Sequence, residues 1–419
     1  MNQPLDFTAE VFKDERKRAY LNPDGADRAL ISPIADDVLN RARRYRIARA
    51  RELMKAQDVG ALLLYDPVNL RYVFDSSNMA IWCMHNPTRY GIVLGGGPAI
   101  LFDREKHLFK ELPGIDEVRL NRSWTYFVSG EHQAQHVEEW ADQVFALLSE
   151  HRSNMRVGVD HLDPRGTWAL EKRGITIVDA QPTIEKARSI KSADELTLMR
   201  WTIRVCEAGM ARMYEQSVPG KTEREIWAEL HFENARSGGE WLETKLLSSG
   251  AKTNPWWTEC SDRVIAKGEM IAFDTDMIGP YGYIADLSRS WTCGHTRMNP
   301  VQQRIYSTAV EQIDHNMSII RPGMEFREFN EKSWRVPERY LPYRYSVALH
   351  GAGMADEWPL VPLRADWGVG REGMFEENMV VNVESLIAEA GSESVKLETQ
   401  VVVTKNGVER LDSFPWEVV

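Results

Sequence analysis

The sequence predicts an α/β protein of two domains, and three observations carry that reading. At 419 residues the chain exceeds the size at which one hydrophobic core usually keeps growing. Its first half alternates helical and extended patterns, as a layered α/β domain does. Its second half mixes long capped helices with apolar runs close enough in sequence to pair antiparallel, an α+β arrangement.

Residues 1–36 carry no assigned element and read as an N-terminal extension. A helix is expected from Asp37 to Lys55, then strands at Ala61 to Tyr65 and Tyr90 to Leu94. The run Gly95-Gly96-Gly97 lacks the GKS/T or GxGxxG spacing that positions phosphates, so it predicts a hairpin turn. Residues 183–192, TIEKARSIKS, lead into a helix whose start is marked by Ser192 and Glu195 at capping-box spacing. The domain boundary falls here, giving domains over 37–186 and 187–419. Thr222 with Glu225 repeats the capping signature, and Asn299 before Pro300 is an N-cap followed by proline at the first helical position. Strands are expected at Glu269 to Met277, Tyr283 to Trp291, Met379 to Ile387 and Val395 to Thr404.

Composition excludes several partners. A net charge of -11 argues against nucleic acid, whose binders concentrate Lys and Arg. The basic stretch Arg41 to Arg51 has helical spacing and reads as a solvated helix face. No apolar run reaches the length of a membrane span, and none stands in the first twenty residues, so neither a membrane partner nor a Sec-type signal peptide is expected. Cys83, Cys206, Cys260 and Cys293 lack CxxC spacing and fit a reduced compartment, with cytoplasm as the expected location.

The chemistry lies in acids that sit inside apolar runs. In MIAFDTDMIGPYGYIADLSRSW, Asp274 and Asp276 share a strand face, and a GPYG turn brings Asp286 back opposite Asp276. Like charges opposed on a covered sheet destabilise it, and a cation removes that penalty. Glu384 ends the run Met379 to Val383, and Glu398 stands within Val395 to Val403, both places where an unpaired carboxylate is disfavoured. His350 lies between Ser346-Val347-Ala348-Leu349 and Gly351-Ala352-Gly353. Five acids and one imidazole suit two divalent ions of Mn, Fe, Co or Zn better than calcium or magnesium.

The order Asp, Asp, His, Glu, Glu in these contexts resembles the pita-bread metallopeptidase family of methionine aminopeptidases, X-Pro aminopeptidases, prolidases and creatinases. The resemblance rests on GYIADLSRSW, HGAGM, NMVVNVES and VKLETQVVVT, with ARSIKSADELTLMRWTI as the entry helix and ALLLYDPVNLRYVF in a creatinase-like N-terminal domain. It implies a creatinase-like α/β domain followed by a pita-bread catalytic domain.

Peptidases of that family use two non-ligand histidines, in segments like SGxNxxxPHY and HExP. Here the first reads Ser249 to Trp257 with tryptophan in the histidine's place, and the second reads Asp356-Glu357-Trp358-Pro359. Imidazole can protonate a leaving amine, whereas a carboxylate is a base and indole is neither. An Asp beside two metals can instead remove a proton next to a carboxylate, and aromatic faces attract a substrate cation. This combination is similar to the family's lyase branch, which cleaves dimethylsulfoniopropionate. The resemblance implies a sulfonium carboxylate as small-molecule substrate, Asp356 as base, iron as the metal, and a homodimer. Expected pocket walls are Tyr345, Trp256, Trp257 and Trp358, with Trp82 as a lid from a dimer mate. His231, His295 and His315 lie outside the motifs and are expected to bind no catalytic metal. The competing readings are an X-Pro dipeptidase or aminopeptidase and a non-catalytic binding module.

Overall fold

The computed structural model describes residues 30–105, 113–366, 368 and 372–416. The expected extension lies outside the described residues as far as residue 29. The described residues divide into two compact units, one over 34–188 and one over 189–416 together with residues 30–33.

In the first unit, β1 (Ala61–Leu64), β2 (Tyr90–Leu94), β3 (Ala99–Asp103), β4 (Glu117–Leu120), β5 (Arg156–Val159) and β6 (Thr176–Asp179) form one sheet in the order β4-β3-β2-β1-β5-β6. β1 lies parallel to β5 and antiparallel to β2. Being central, β1 is an unbroken apolar run buried on both faces. The helix Gln133–Glu150 covers the sheet with Val137, Trp140, Ala141, Val144 and Leu148, the stripe that a period of 3.6 residues produces. The triple glycine follows β2 and turns the chain into β3.

The helix Asp36–Ala56 corrects one expectation. Arg46 is fully buried, not solvated, and Arg43 and Arg46 both bond to Asp75. Burial alone would raise the Asp75 carboxyl, but the guanidinium groups of Arg71, Arg46 and Arg43 pull it down to about 2. Arg41 and Arg44 are exposed, while Arg49 and Arg51 are partly covered, Arg51 donating to the Gly97 carbonyl at 2.7 Å, so spacing alone does not separate the two faces.

In the second unit, short strands β7 (Trp241–Leu242), β8 (Leu247–Ser249), β9 (Met270–Asp274), β10 (Met277–Ile278), β11 (Ile284–Ala285) and β12 (Ser288–Thr292) make two three-stranded sheets, β11-β10-β7 and β12-β9-β8. β13 (Val347–Ala352), β14 (Asp356–Pro362), β15 (Val380–Ile387), β16 (Val395–Thr404) and β17 (Gly407–Arg410) form a sheet in the order β14-β13-β15-β16-β17. The helix Pro300–Ile319 packs on it through Ile305, Ala309 and Ile313, meeting Val381, Val383, Leu397 and Val401. With a period of two, those odd-numbered strand residues take the core face. The even-numbered Asn382, Glu384, Lys396 and Glu398 are therefore turned to the opposite, equally buried face.

The helices Ala193–Gln216, Glu223–Arg236 and Pro300–Ile319 all begin with complete capping boxes, at Ser192, Thr222 and Asn299. Replacing Ser192 by alanine leaves the Glu195 N–H without its acceptor and is expected to cost about 1 kcal/mol, read as a lower urea midpoint with unchanged slope. Among the described residues, no helix is long and apolar enough to cross a membrane.

Candidate metal centre and active site

The acidic hairpin is not two continuous strands. The ladder pairs Asp274 with Ser288 and Met277 with Ala285 in one register, which sets Asp276 opposite Asp286. Between those pairs the strands break, so that the expected Glu269 to Met277 and Tyr283 to Trp291 become β9 with β10 and β11 with β12. The Thr275 hydroxyl bridges the gap, donating to the Ala285 carbonyl at 2.8 Å and accepting from the Leu287 N–H at 2.9 Å. Asp276 adopts a left-handed backbone, φ 36°, a conformation aspartate tolerates better than most residues. The break lets ligand atoms of Asp274, Asp276 and Asp286 come within 4.8 Å of one another, which a flat strand pair would not allow.

The other donors arrive from the five-stranded sheet. Glu384 and Glu398 are direct cross-strand partners, and His350 pairs with Asn382, whose amide donates to Asp286 at 2.6 Å. Ligand atoms of Asp286, His350 and Glu398 form a second group within 4.8 Å, and those of Asp274, Glu384 and Glu398 a third. His350 Nε2 faces Asp286 at 3.3 Å, Glu384 at 3.4 Å and Glu398 at 3.3 Å. Its Nδ1 lies 3.0 Å from the Gly351 carbonyl, a contact that fixes the proton on Nδ1 and leaves Nε2 free to ligate.

One buried oxygen on each of Asp274, Asp286, Glu384 and Glu398 has no hydrogen-bond partner. Burial, and then the charges of the neighbouring carboxylates, pushes Asp276 and Asp286 well above the ordinary carboxylate range and Glu384 to about 8. Buried acids with orphaned oxygens pointed at one another are what a pair of cations would satisfy, and the oxygen-rich set with one imidazole fits two divalent transition ions.

Sequence reading missed the counter-charge. Lys396, fully buried, places its Nζ 2.9 Å from Asp274, 2.8 Å from Glu384 and 2.9 Å from Glu398, and 2.8 Å from the Ser288 hydroxyl. Burial opposes its charge, but Asp274, Glu384 and Glu398 hold its pKa well above the usual lysine value. Lys396 engages the second oxygens, Asp274 Oδ2, Glu384 Oε2 and Glu398 Oε2, and leaves the orphaned ones aimed inward. The only signal was a lysine two residues before Glu398 in an apolar strand, hence on its face. Lys396→Met is expected to lower metal affinity about 10–100-fold, measured by competition with a chelator.

Asp356, at the start of β14, has its Oδ1 3.5 Å from His350 Nδ1, and its side chain is 54% exposed. Its carboxyl is raised by desolvation, opposed by His350 and reinforced by Glu398. Beside it the fully buried Glu357 accepts from Lys191 at 3.0 Å and from the Met354 N–H at 2.9 Å, pinning the loop that carries Asp356.

The aromatic residues separate into three places. Trp257 is exposed and its ring lies 5.1 Å from that of Tyr345, which in turn sits over Lys396 at 5.5 Å. Trp256 is buried beneath them with Leu246, Ala272 and Leu386. Trp358, expected as a pocket wall, packs its ring on Phe326 at 5.4 Å against the C-terminal core, because a register shift between β13 and β14 interrupts the alternation from Asp356. Trp82 belongs to the first unit, where it meets Phe127 and Arg104. His295 and His315 bond to the carbonyls of Tyr214 and Lys332, and His231 meets the ring of Trp227.

Residues 46–190 match the creatinase/prolidase N-terminal domain, and residues 197–405 match metallopeptidase family M24. The chain is 38% identical over 392 residues to the dimethylsulfoniopropionate lyase DddP of Roseovarius nubinhibens, covering 90% of this chain and 87% of that one. It is 36% identical over 387 residues to the same lyase of Roseobacter denitrificans, covering 90% and 86%. Among solved structures, an Xaa-Pro dipeptidase from Bacillus anthracis aligns with a TM-score of 0.72 at 20% identity, covering 89% of this chain and 98% of that one. The prolidase of Pyrococcus horikoshii aligns equally well, 0.72 at 21% identity over 89% and 99%. These structures share the fold, while the two lyases share more than a third of the sequence along nearly its whole length: the chain belongs to metallopeptidase family M24 and, within it, to the group of the dimethylsulfoniopropionate lyase DddP.

Proposed function

We propose that this chain cleaves dimethylsulfoniopropionate to acrylate and dimethyl sulfide. The observation that carries the reading is an aspartate, Asp356, standing free of the carboxylate cluster 3.5 Å from His350, where peptidase relatives are expected to hold an acid imidazole. Asp356 takes the proton from the carbon next to the substrate carboxylate. The C–H electron pair becomes the new C=C bond, and the C–S bond breaks with its electrons passing to sulfur. Because the leaving group departs as a neutral sulfide, no acid is required. The exposed face of Trp257 and the ring of Tyr345 suit a sulfonium cation. Tyr345 keeps its phenolic proton, since burial and then the Glu384 charge raise its pKa, so it can donate a hydrogen bond.

Enzymes of family M24 are dinuclear metalloenzymes, and in this reading Asp274, Asp276, Asp286, His350, Glu384 and Glu398 hold the two ions. When bound, they supply positive charge against the negative charge that develops on the substrate carboxylate. Iron as the metal, a homodimer, a cytoplasmic location and domains over 37–186 and 187–419 belong to the same proposal, supported by the family resemblance.

The test is headspace detection of dimethyl sulfide from metal-loaded protein given the sulfonium substrate, beside a proline-dipeptide assay. Sulfide release without dipeptide cleavage is expected. Dipeptide cleavage alone would install the peptidase reading, for which the shared fold of the dipeptidases is the support. Neither activity in protein that holds no transition metal would favour a binding module.

A further inference from the structure

In the first unit the chain runs outward from β1 through β2, β3 and β4 on one side, then returns to lay β5 and β6 on the other. The neighbours β1 and β5 are thus parallel strands whose connections leave in opposite directions. Loops after such strands diverge and open a crevice at the carboxyl edge of the sheet, the place where open α/β sheets bind ligands. A cavity of about 390 Å³ lies there. Tyr65 follows β1, Trp124 and Thr125 follow β4, and His161, Leu162 and Asp163 follow β5; all six line it.

Two features mark the cavity as built. Asp160 ties the two diverging loops together, accepting the N–H groups of Tyr65 at 2.7 Å and Asp66 at 3.1 Å. Thr125 is only 9% exposed, yet its hydroxyl has no hydrogen-bond partner. A buried orphan hydroxyl on a cavity wall is what a bound polar group would satisfy.

The lining also selects the sign of the ligand. Among the described lining residues there is neither Lys nor Arg, and the side chains that carry or can take charge near neutral pH are Asp163, His85 and His161. The helix starting at Pro67 has its N–H groups capped by Asp66, and Asp163 stands at the start of the helix Pro164–Glu171 without capping it. An anion would therefore meet the Asp163 carboxylate with only two histidines, neither of them a permanent cation, to offset it. A cation would find that carboxylate together with the aromatic rings of Tyr65 and Trp124 and the apolar flank of Leu162. We infer that this crevice is a second small-molecule site, separate from the carboxylate cluster, that takes a compact organic cation of the methylated onium class carrying a hydroxyl group, the onium facing Asp163 and the rings and the hydroxyl meeting Thr125.

The experiment is calorimetric titration of the full-length, metal-loaded chain with choline and with its uncharged isostere 3,3-dimethylbutan-1-ol. It is run in a Trp257→Ala background, which removes the exposed aromatic face of the catalytic site and leaves the crevice intact. One choline-binding event is expected to remain, with the isostere binding at least about tenfold more weakly. Adding Asp163→Asn, an exposed position whose side chain caps nothing, should weaken choline about two- to fivefold. Absence of binding up to millimolar choline, equal binding of the isostere, or an unchanged affinity in the Asp163→Asn chain would each overturn the inference.

Discussion

An Asp356→Asn chain is expected to release dimethyl sulfide about 10²–10⁴-fold more slowly than the unaltered chain, the range over which a positioned base contributes to proton transfer. Asparagine keeps the shape of the side chain but has no lone pair basic enough to accept the proton. Asp356 lies outside the three clusters of candidate ligand atoms, so metal content should stay the same. Sulfide kinetics and elemental analysis of the same preparation check both halves. Wild-type turnover would remove Asp356 as the base, and loss of metal would make it a ligand. The pH profile adds a second reading. Asp356 works only as the carboxylate, so the rate should fall as pH drops through its pKa. Desolvation raises that pKa, so the acid limb should lie above the range of an ordinary aspartate.

Stripping the metals should produce the largest change in stability, and one that grows with pH. Without cations, Glu384 in the folded chain titrates near 8, against 4.5 for the ordinary group. A carboxylate whose folded pKa is raised binds more protons folded than unfolded across that window. Stability is therefore lost as pH climbs from about 4.5 toward 8. Asp276 and Asp286 shift the same way; Glu398 is the opposing group, since Lys396 and His350 overcome burial and hold it low. Bound cations reverse the penalty, and ions present at a thousandfold excess over Kd add about 4 kcal/mol. The melting temperature of chelator-treated protein should thus fall between pH 5 and pH 8, by comparison with loaded protein, and recover on adding metal. A chelated chain that melts at the same temperature throughout that window would show that the acids are not buried against one another.

The residues that declared themselves in the sequence did so through local rules. Ser192, Thr222 and Asn299 announce helices because a cap and its partner lie three residues apart, and the cause is contained in one turn. Asp274, Asp286, Glu384 and Glu398 stand out because an acid inside an apolar run is anomalous wherever the run is covered. Strand alternation also places Glu384 and Glu398 on the face opposite Val381, Val383 and Leu397, before any partner is known.

Other features were decided only when distant segments met. Lys396 neutralises Asp274 from 122 residues away, and Asn382 orients Asp286 across 96. No short-range pattern encodes either contact. The hairpin breaks at Asp276, whose backbone is left-handed, and the Thr275 hydroxyl supplies bonds across the gap where the ladder is interrupted. Arg46 turns inward because Asp75, on another element, offers it a buried partner. Trp358 leaves the face of Asp356 because β13 and β14 slip register between them. Local pattern reveals which residues are chemically out of place in their strands and helices; the assembled fold selects which charges meet them, because electrostatic compensation depends on distance in space and not along the chain.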